Sequence, residues 1–214
     1  MRFVSPIVSL FAVAASASAG TVWNSQADWS ETDNPNGVWS YLEGGNPLPH
    51  VASWQSSLGG WAQPQPGWAK SENANNRIPF FFVSNGSETF PHDFIAGDTV
   101  IHSRDDGNGA GNGEGALRWT APYRCYVRVV GAVWMGRDIG RSGTVSVLVN
   151  GATIVSVALA SDDPWNRANP RDLNAGTSAL RVIQMEQGDT IDLRFVRTSA
   201  SGDFTSTERY RSAR

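Results

Sequence analysis

Residues 105–115 read Asp-Asp-Gly-Asn-Gly-Ala-Gly-Asn-Gly-Glu-Gly between two apolar stretches, and neither a helix nor a strand continues through so many glycines. Such a loop turns the chain back on itself, and what flanks it reads as two antiparallel strands. Farther on, Thr144 to Val157 places two runs around Asn150-Gly151, the dipeptide that suits a type I′ hairpin because both central residues need positive φ. Val145, Val147 and Val149 then share one face. After Gly188-Asp189, the run from Thr190 to Val196 alternates, which sends Ile191, Leu193 and Phe195 inward and Asp192 and Arg194 to water. No segment carries a sustained 3.6-residue apolar stripe, and Asp163 to Asn174, with two prolines, reads as a loop. From Thr21 to about Gly97, short islands such as Val38 to Leu42 and Ile78 to Val83 read as strands in long connections.

The fold class expected is therefore all-β, an antiparallel β-sandwich of jelly-roll type. The first part has too few apolar runs to form a core alone, so residues 20–214 are expected to make one domain rather than two parting near Gly97.

The amino terminus has a different character. Arg2, an apolar stretch from Phe3 to Ala15 and the small residues Ala17-Ser18-Ala19 form a signal-peptide pattern, with residues 1–19 removed and the remainder secreted. No later apolar run reaches the ~20 residues of a membrane-crossing helix, so no membrane span is expected in the mature chain. The formal net charge of −3 becomes about −4 once Arg2 is removed, and the arginines form no basic run, which argues against nucleic acid as a partner. Cys125 is the single cysteine, so no internal disulfide is available and a hydrophobic core must hold the fold.

Several strings resemble a group of secreted bacterial β-sandwich domains, described as carbohydrate-binding-module-like and often found in proteins with a PEP-CTERM sorting tail. They are Asn34-Pro-Asn-Gly-Val-Trp-Ser-Tyr, Leu117-Arg-Trp-Thr-Ala-Pro, Val147-Leu-Val-Asn-Gly and Glu186-Gln-Gly-Asp-Thr-Ile-Asp-Leu, with Ile101-His-Ser where the group has His-Pro-Gly. The resemblance implies the sandwich fold and carries no defined activity. Ser103 and Arg104 depart from the group's Pro and Gly, and no apolar sorting tail is read before Arg214.

Candidate binding residues come from the tryptophans, six of which crowd the first part of the mature chain. An indole face can stack on the C–H face of a sugar ring while its N–H hydrogen-bonds. Trp54, Trp61 and Trp68 are the ligand-binding candidates, the last two on a loop stiffened by Pro64 and Pro66. Against this stands their use as plugs for the ends of the sandwich, since large aromatics are buried on average. Trp119 and Trp134 lie in strands and are expected in the core.

Asp105, Asp106, Asn108 and Glu114, with Asn112, offer oxygen ligands among glycines, a composition that suits Ca²⁺, although the spacing is not that of an EF-hand. A plain turn explains the same residues. His50, His92 and His102 lack metal-site spacing, Ser103 points away from His102, and no paired-carboxylate motif of a glycosidase is recognisable. The leading expectation is a secreted, non-catalytic domain binding an extracellular polysaccharide and requiring no cofactor. The alternatives are a self-associating structural or adhesive component of a cell-surface layer or filament, and a polysaccharide-active enzyme.

Overall fold

The structure is a computed structural model that describes residues 12–15, 21–54, 60–72, 78–102, 114–199 and 204–208. The described residues contain strands and no helix, and every ladder among them is antiparallel. With strands numbered in chain order, a six-stranded sheet runs β13 (Ala152–Ala160), β12 (Ser142–Val149), β16 (Thr190–Arg197), β9 (Gly115–Thr120), β3 (Trp39–Glu43), β4 (Asn46–Pro47). A seven-stranded sheet runs β14 (Arg171–Asp172), β11 (Ala132–Met135), β17 (Phe204–Glu208), β8 (Thr99–His102), β7 (Phe80–Val83), β6 (Gly67–Ala69), β5 (His50–Val51). The third sheet runs β15 (Ile183–Met185), β10 (Cys125–Val130), β1 (Ala12–Ala15), β2 (Val22–Asn24). Its strand β1 comes from the apolar segment that the sequence reads as a leader.

Asn150 and Gly151 have φ of 48° and 82°, the left-handed pair that a type I′ hairpin requires. Asn150 Oδ1 also accepts a 2.8 Å bond from the Thr190 amide, tying the hairpin to the start of β16. Registers then line up the buried side chains in rows across the six-stranded sheet. Val147 opposes Leu193, which opposes Leu117, which opposes Tyr41; beside that row stand Val149, Ile191, Trp119 and Trp39. These rows face the seven-stranded and four-stranded sheets across one cluster that includes Trp68, Phe81, Ile101, Val133, Val127 and Met185.

The outward face of β16 departs from the alternation. Asp192 is only 8% exposed, because the Arg118 guanidinium opposite it donates two bonds of 2.7 and 2.8 Å to its carboxylate. A planar fork on a carboxylate covers both groups and removes the need for water. Arg194, the other outward residue, is partly buried and lies 3.5 Å from Glu114.

The seven-stranded sheet is buried on both faces. Phe81 and Ile101 join the shared cluster, whereas Phe80, Phe82, Val100 and Trp134 point the other way into a second cluster with Trp54, Ile78 and Phe94. Covering both faces explains why β7 is a run of phenylalanines without polar alternation. Between the layers, Lys70, the only lysine, pairs with the buried carboxylate of Glu43 and so joins the end of β6 to β3. Tyr41 is fully buried; its burial, then the nearby charges of Asp28 and Glu31, push its hydroxyl pKa far above the ordinary tyrosine value.

Two outcomes are expected. A Cβ at Gly67 would run into the Phe81 carbonyl oxygen and the Phe80 ring, so Gly67→Ala is expected to cost about 1–3 kcal/mol in urea denaturation, and an unchanged midpoint would contradict the tight β6–β7 approach. Because the folded state holds the Tyr41 proton more tightly than the unfolded chain, stability is full below the ordinary tyrosine pKa of about 10 and declines as pH rises past it. Absorbance at the phenolate band, compared with Tyr41→Phe, checks this; ionisation of Tyr41 near the ordinary value with an intact circular dichroism spectrum would contradict it.

Candidate functional site

Trp68 lies in β6, not in a loop, and is 3% exposed. Its ring is parallel to Tyr41 with centroids 6.1 Å apart, the His50 ring meets it edge-on at 5.2 Å, and its N–H donates to the Ser30 carbonyl at 3.0 Å. Trp54 is 2% exposed and stacks on Phe80 at 4.2 Å, while Trp61, half-buried, stands edge-on to Trp54 at 5.5 Å and packs beside Phe82 and Phe90. The open indole faces that the sequence reading needs are therefore not presented at Trp54 or Trp68. The physical reasons differ: Trp68 faces the cluster shared with the six-stranded sheet, beside Tyr41 and Phe81, whereas Trp54 helps to roof the opposite face of the seven-stranded sheet with Trp61 and Phe94.

The Pro64–Pro66 connection is pinned from within rather than held up as a rigid arm. Gln65 is fully buried; its amide nitrogen donates to the Pro66 and Val83 carbonyls, and its amide oxygen accepts from the Asn85 backbone N–H at 3.0 Å. Across the chain, all nine tryptophans are buried or half-buried.

Of the calcium candidates, Asp105, Asp106 and Asn108 lie outside the described residues, as does Asn112. Glu114 is described and faces Arg194 at 3.5 Å. Among the described residues no group of three or more His, Cys, Asp or Glu side chains is arranged to hold a metal ion. His92 stacks on Phe94 at 4.1 Å, and His102, at the end of β8, lies 6.1 Å from the Trp54 ring. His50 pairs with Glu31 at 3.0 Å, and the same carboxylate accepts the Trp29 indole N–H at 2.6 Å. Cys125 is buried in β10, and that burial raises its thiol pKa, the setting of an inert small hydrophobe rather than a nucleophile.

Among the described residues, the most exposed aromatic rings are tyrosines on and beside the four-stranded sheet. Along β10, Cys125, Val127 and Val129 turn inward, so Tyr126 and Arg128 turn outward. Tyr126 is 46% exposed and Tyr123, just before the strand, 48%. A polar chain runs beside them. The Tyr126 hydroxyl donates to Gln184 Oε1 at 3.4 Å, Gln184 Nε2 donates to Glu186 Oε1 at 3.3 Å, and Arg124 Nε lies 3.2 Å from the same Glu186 oxygen. The Arg124–Glu186 pair is well exposed, so it adds little to folding and leaves its donors and acceptor available to a ligand. Half-buried Trp23 backs this surface, its ring 6.2 Å from Tyr123 and 5.1 Å from Trp119. Exposed Val22 and Val182 complete the apolar part.

This combination of flat rings, amide, carboxylate and guanidinium can stack on and hydrogen-bond a polyhydroxylated chain. Sequence reasoning weighed tryptophans and passed over Tyr123 and Tyr126, although the inward Cys-x-Val-x-Val pattern of β10 points Tyr126 outward. No family model, no curated protein and no solved structure matches this chain.

Trp54→Ala and Trp68→Ala are each expected to cost about 3–5 kcal/mol of stability in chemical denaturation, the usual price of emptying an aromatic core position. Loss below about 1 kcal/mol at either position would contradict their burial.

Proposed function

We propose that this chain is an exported, non-catalytic binding domain whose ligand is an extracellular polysaccharide, built on a jelly-roll sandwich of the kind its sequence strings resemble. Its contact surface in this reading is the Tyr123–Tyr126 face with Gln184, Glu186 and Arg124, and not the tryptophans. The supporting observation is the pair of half-exposed phenol rings beside a connected row of hydrogen-bonding side chains. Stacking gives affinity that tolerates many sugars, and the polar row supplies orientation. The inward side chains of the same sheet, Cys125, Val127, Val129, Ile183 and Met185, are held in the main core cluster and give the surface a rigid support, so little ordering cost attends binding.

Pull-down on a panel of insoluble polysaccharides tests this reading. Wild type is expected to be retained by at least one glycan, and Tyr126→Ala with Tyr123→Ala to weaken retention about tenfold, corresponding to about 1.4 kcal/mol of stacking. Both positions are solvent-facing, so the variant's unfolding midpoint is expected to stay near that of wild type. Retention on no glycan, or equal retention of wild type and variant on every glycan, would contradict the reading.

A further inference from the structure

Strand β1 lies between β10 and β2, with Ala12 opposite Val130, Val13 opposite Val129, Ala14 opposite Arg128 and Ala15 opposite Val127 on one side, and Ala12, Val13 and Ala14 opposite Asn24, Trp23 and Val22 on the other. These same residues fall inside the nineteen-residue segment that the sequence marks for removal during export. Cleavage after Ala19 would take the strand out of the middle of its sheet. The Val129 amide donates away from β1, to the Leu180 carbonyl at 2.9 Å, so strand alternation turns the amides of Tyr126, Arg128 and Val130 toward β1. Those amides and their carbonyls would be left bare. Unpaired edge groups are the usual template for another strand.

The chain's own neighbour is poorly suited to the vacated place. Strand β2 is antiparallel to β1, and β1 to β10, so β2 runs parallel to β10 and begins two strand spacings, about 9.5 Å, away. In its sheet β2 is bonded to β1 alone and loses its ladder in the same step.

We propose that, once residues 1–19 are removed, the bared edge of β10 pairs antiparallel with β10 of a second copy across a two-fold axis at Val127. Only registers that keep like faces together are allowed, and this one sets Val127 against its own counterpart, Cys125 against Val129, and Tyr126 against Arg128 of the second copy. Buried positions meet buried positions. On the solvent face each phenol ring meets a guanidinium rather than its like, and the two Arg128 charges are not directly opposed. The pairing rests on the leader reading and not on the polysaccharide reading, and it would join the two tyrosine faces into one continuous surface.

The test is to express the whole 214-residue chain in a bacterium that exports it, and to measure intact mass and light scattering on the same exported sample. The expected result is a chain beginning at Gly20 with a particle mass twice that of the chain. A synthetic peptide covering Leu10 to Ser16 is expected to halve the particle mass by refilling the place of β1. Val127→Cys in a Cys125→Ser background is expected to give a disulfide-linked dimer on mild oxidation, because a non-hydrogen-bonded pair sets its Cα atoms about 4.5 Å apart, within disulfide reach. A monomer beginning at Gly20 overturns the pairing and leaves the leader reading standing, whereas a chain that keeps residues 1–19 overturns both. A dimer that ignores the peptide overturns the use of this edge. If the cysteine variant fails to fold, the peptide experiment on the wild-type chain decides.

Discussion

Phe80, Phe81 and Phe82 are consecutive in β7, so their rings alternate across the sheet, and all three are buried. A sheet that is apolar on both faces must be covered on both faces, and much of the architecture follows from meeting that demand. On one side the six-stranded sheet supplies cross-strand rows ending in Tyr41 and Trp39, with the four-stranded sheet adding Val127 and Met185. On the other side the chain has no further sheet to offer among the described residues, and it uses long connections that lay Trp54, Trp61, Phe90 and Phe94 over Phe80 and Phe82. Several polar groups of those connections are satisfied internally, as at Gln65 and at the buried Asp98, whose carboxylate takes the Ile95 amide and the Arg167 guanidinium.

This division decides where chemistry with the outside is available. Rings engaged in roofing the sheet are buried or half-buried, and charged groups elsewhere in the layers are engaged in pairs such as Lys70 with Glu43 and Arg118 with Asp192. Among the described residues, the solvent face of the four-stranded sheet is one that stays outward, and there strand alternation exposes Tyr126 and Arg128. The same small sheet contains the strand drawn from the amino-terminal segment, so the surface proposed for a ligand and the edge proposed for a second copy lie side by side.

Much of the fold is legible in the chain because it rests on local rules. The Asn150-Gly151 turn, the inward set Ile191, Leu193 and Phe195, the short strand islands at β3 and β7, and the antiparallel all-β class follow from turn chemistry and period-two alternation. Asp192 was legible as a strand residue but not as a covered one, because its partner Arg118 is 74 positions distant in sequence. The candidate site was less legible. Trp54 and Trp68 look like binding residues when a tryptophan-rich loop is viewed alone, and they become core residues only when the sheets pack, Trp68 between the layers and Trp54 on the second face of the seven-stranded sheet, a fact of tertiary packing that no local pattern carries. Tyr126 could have been placed outward from the alternation of β10, whereas its neighbours Gln184 and Glu186 arrive through β15, a strand too short to announce itself.

The tryptophans build the interior, all nine of them buried or half-buried. Acrylamide quenching of tryptophan fluorescence measures this directly in the folded protein. A blue-shifted emission maximum and weak quenching are expected, both lost together on denaturation. A red-shifted emission that is strongly quenched while circular dichroism still reports an intact β-sheet would contradict this burial.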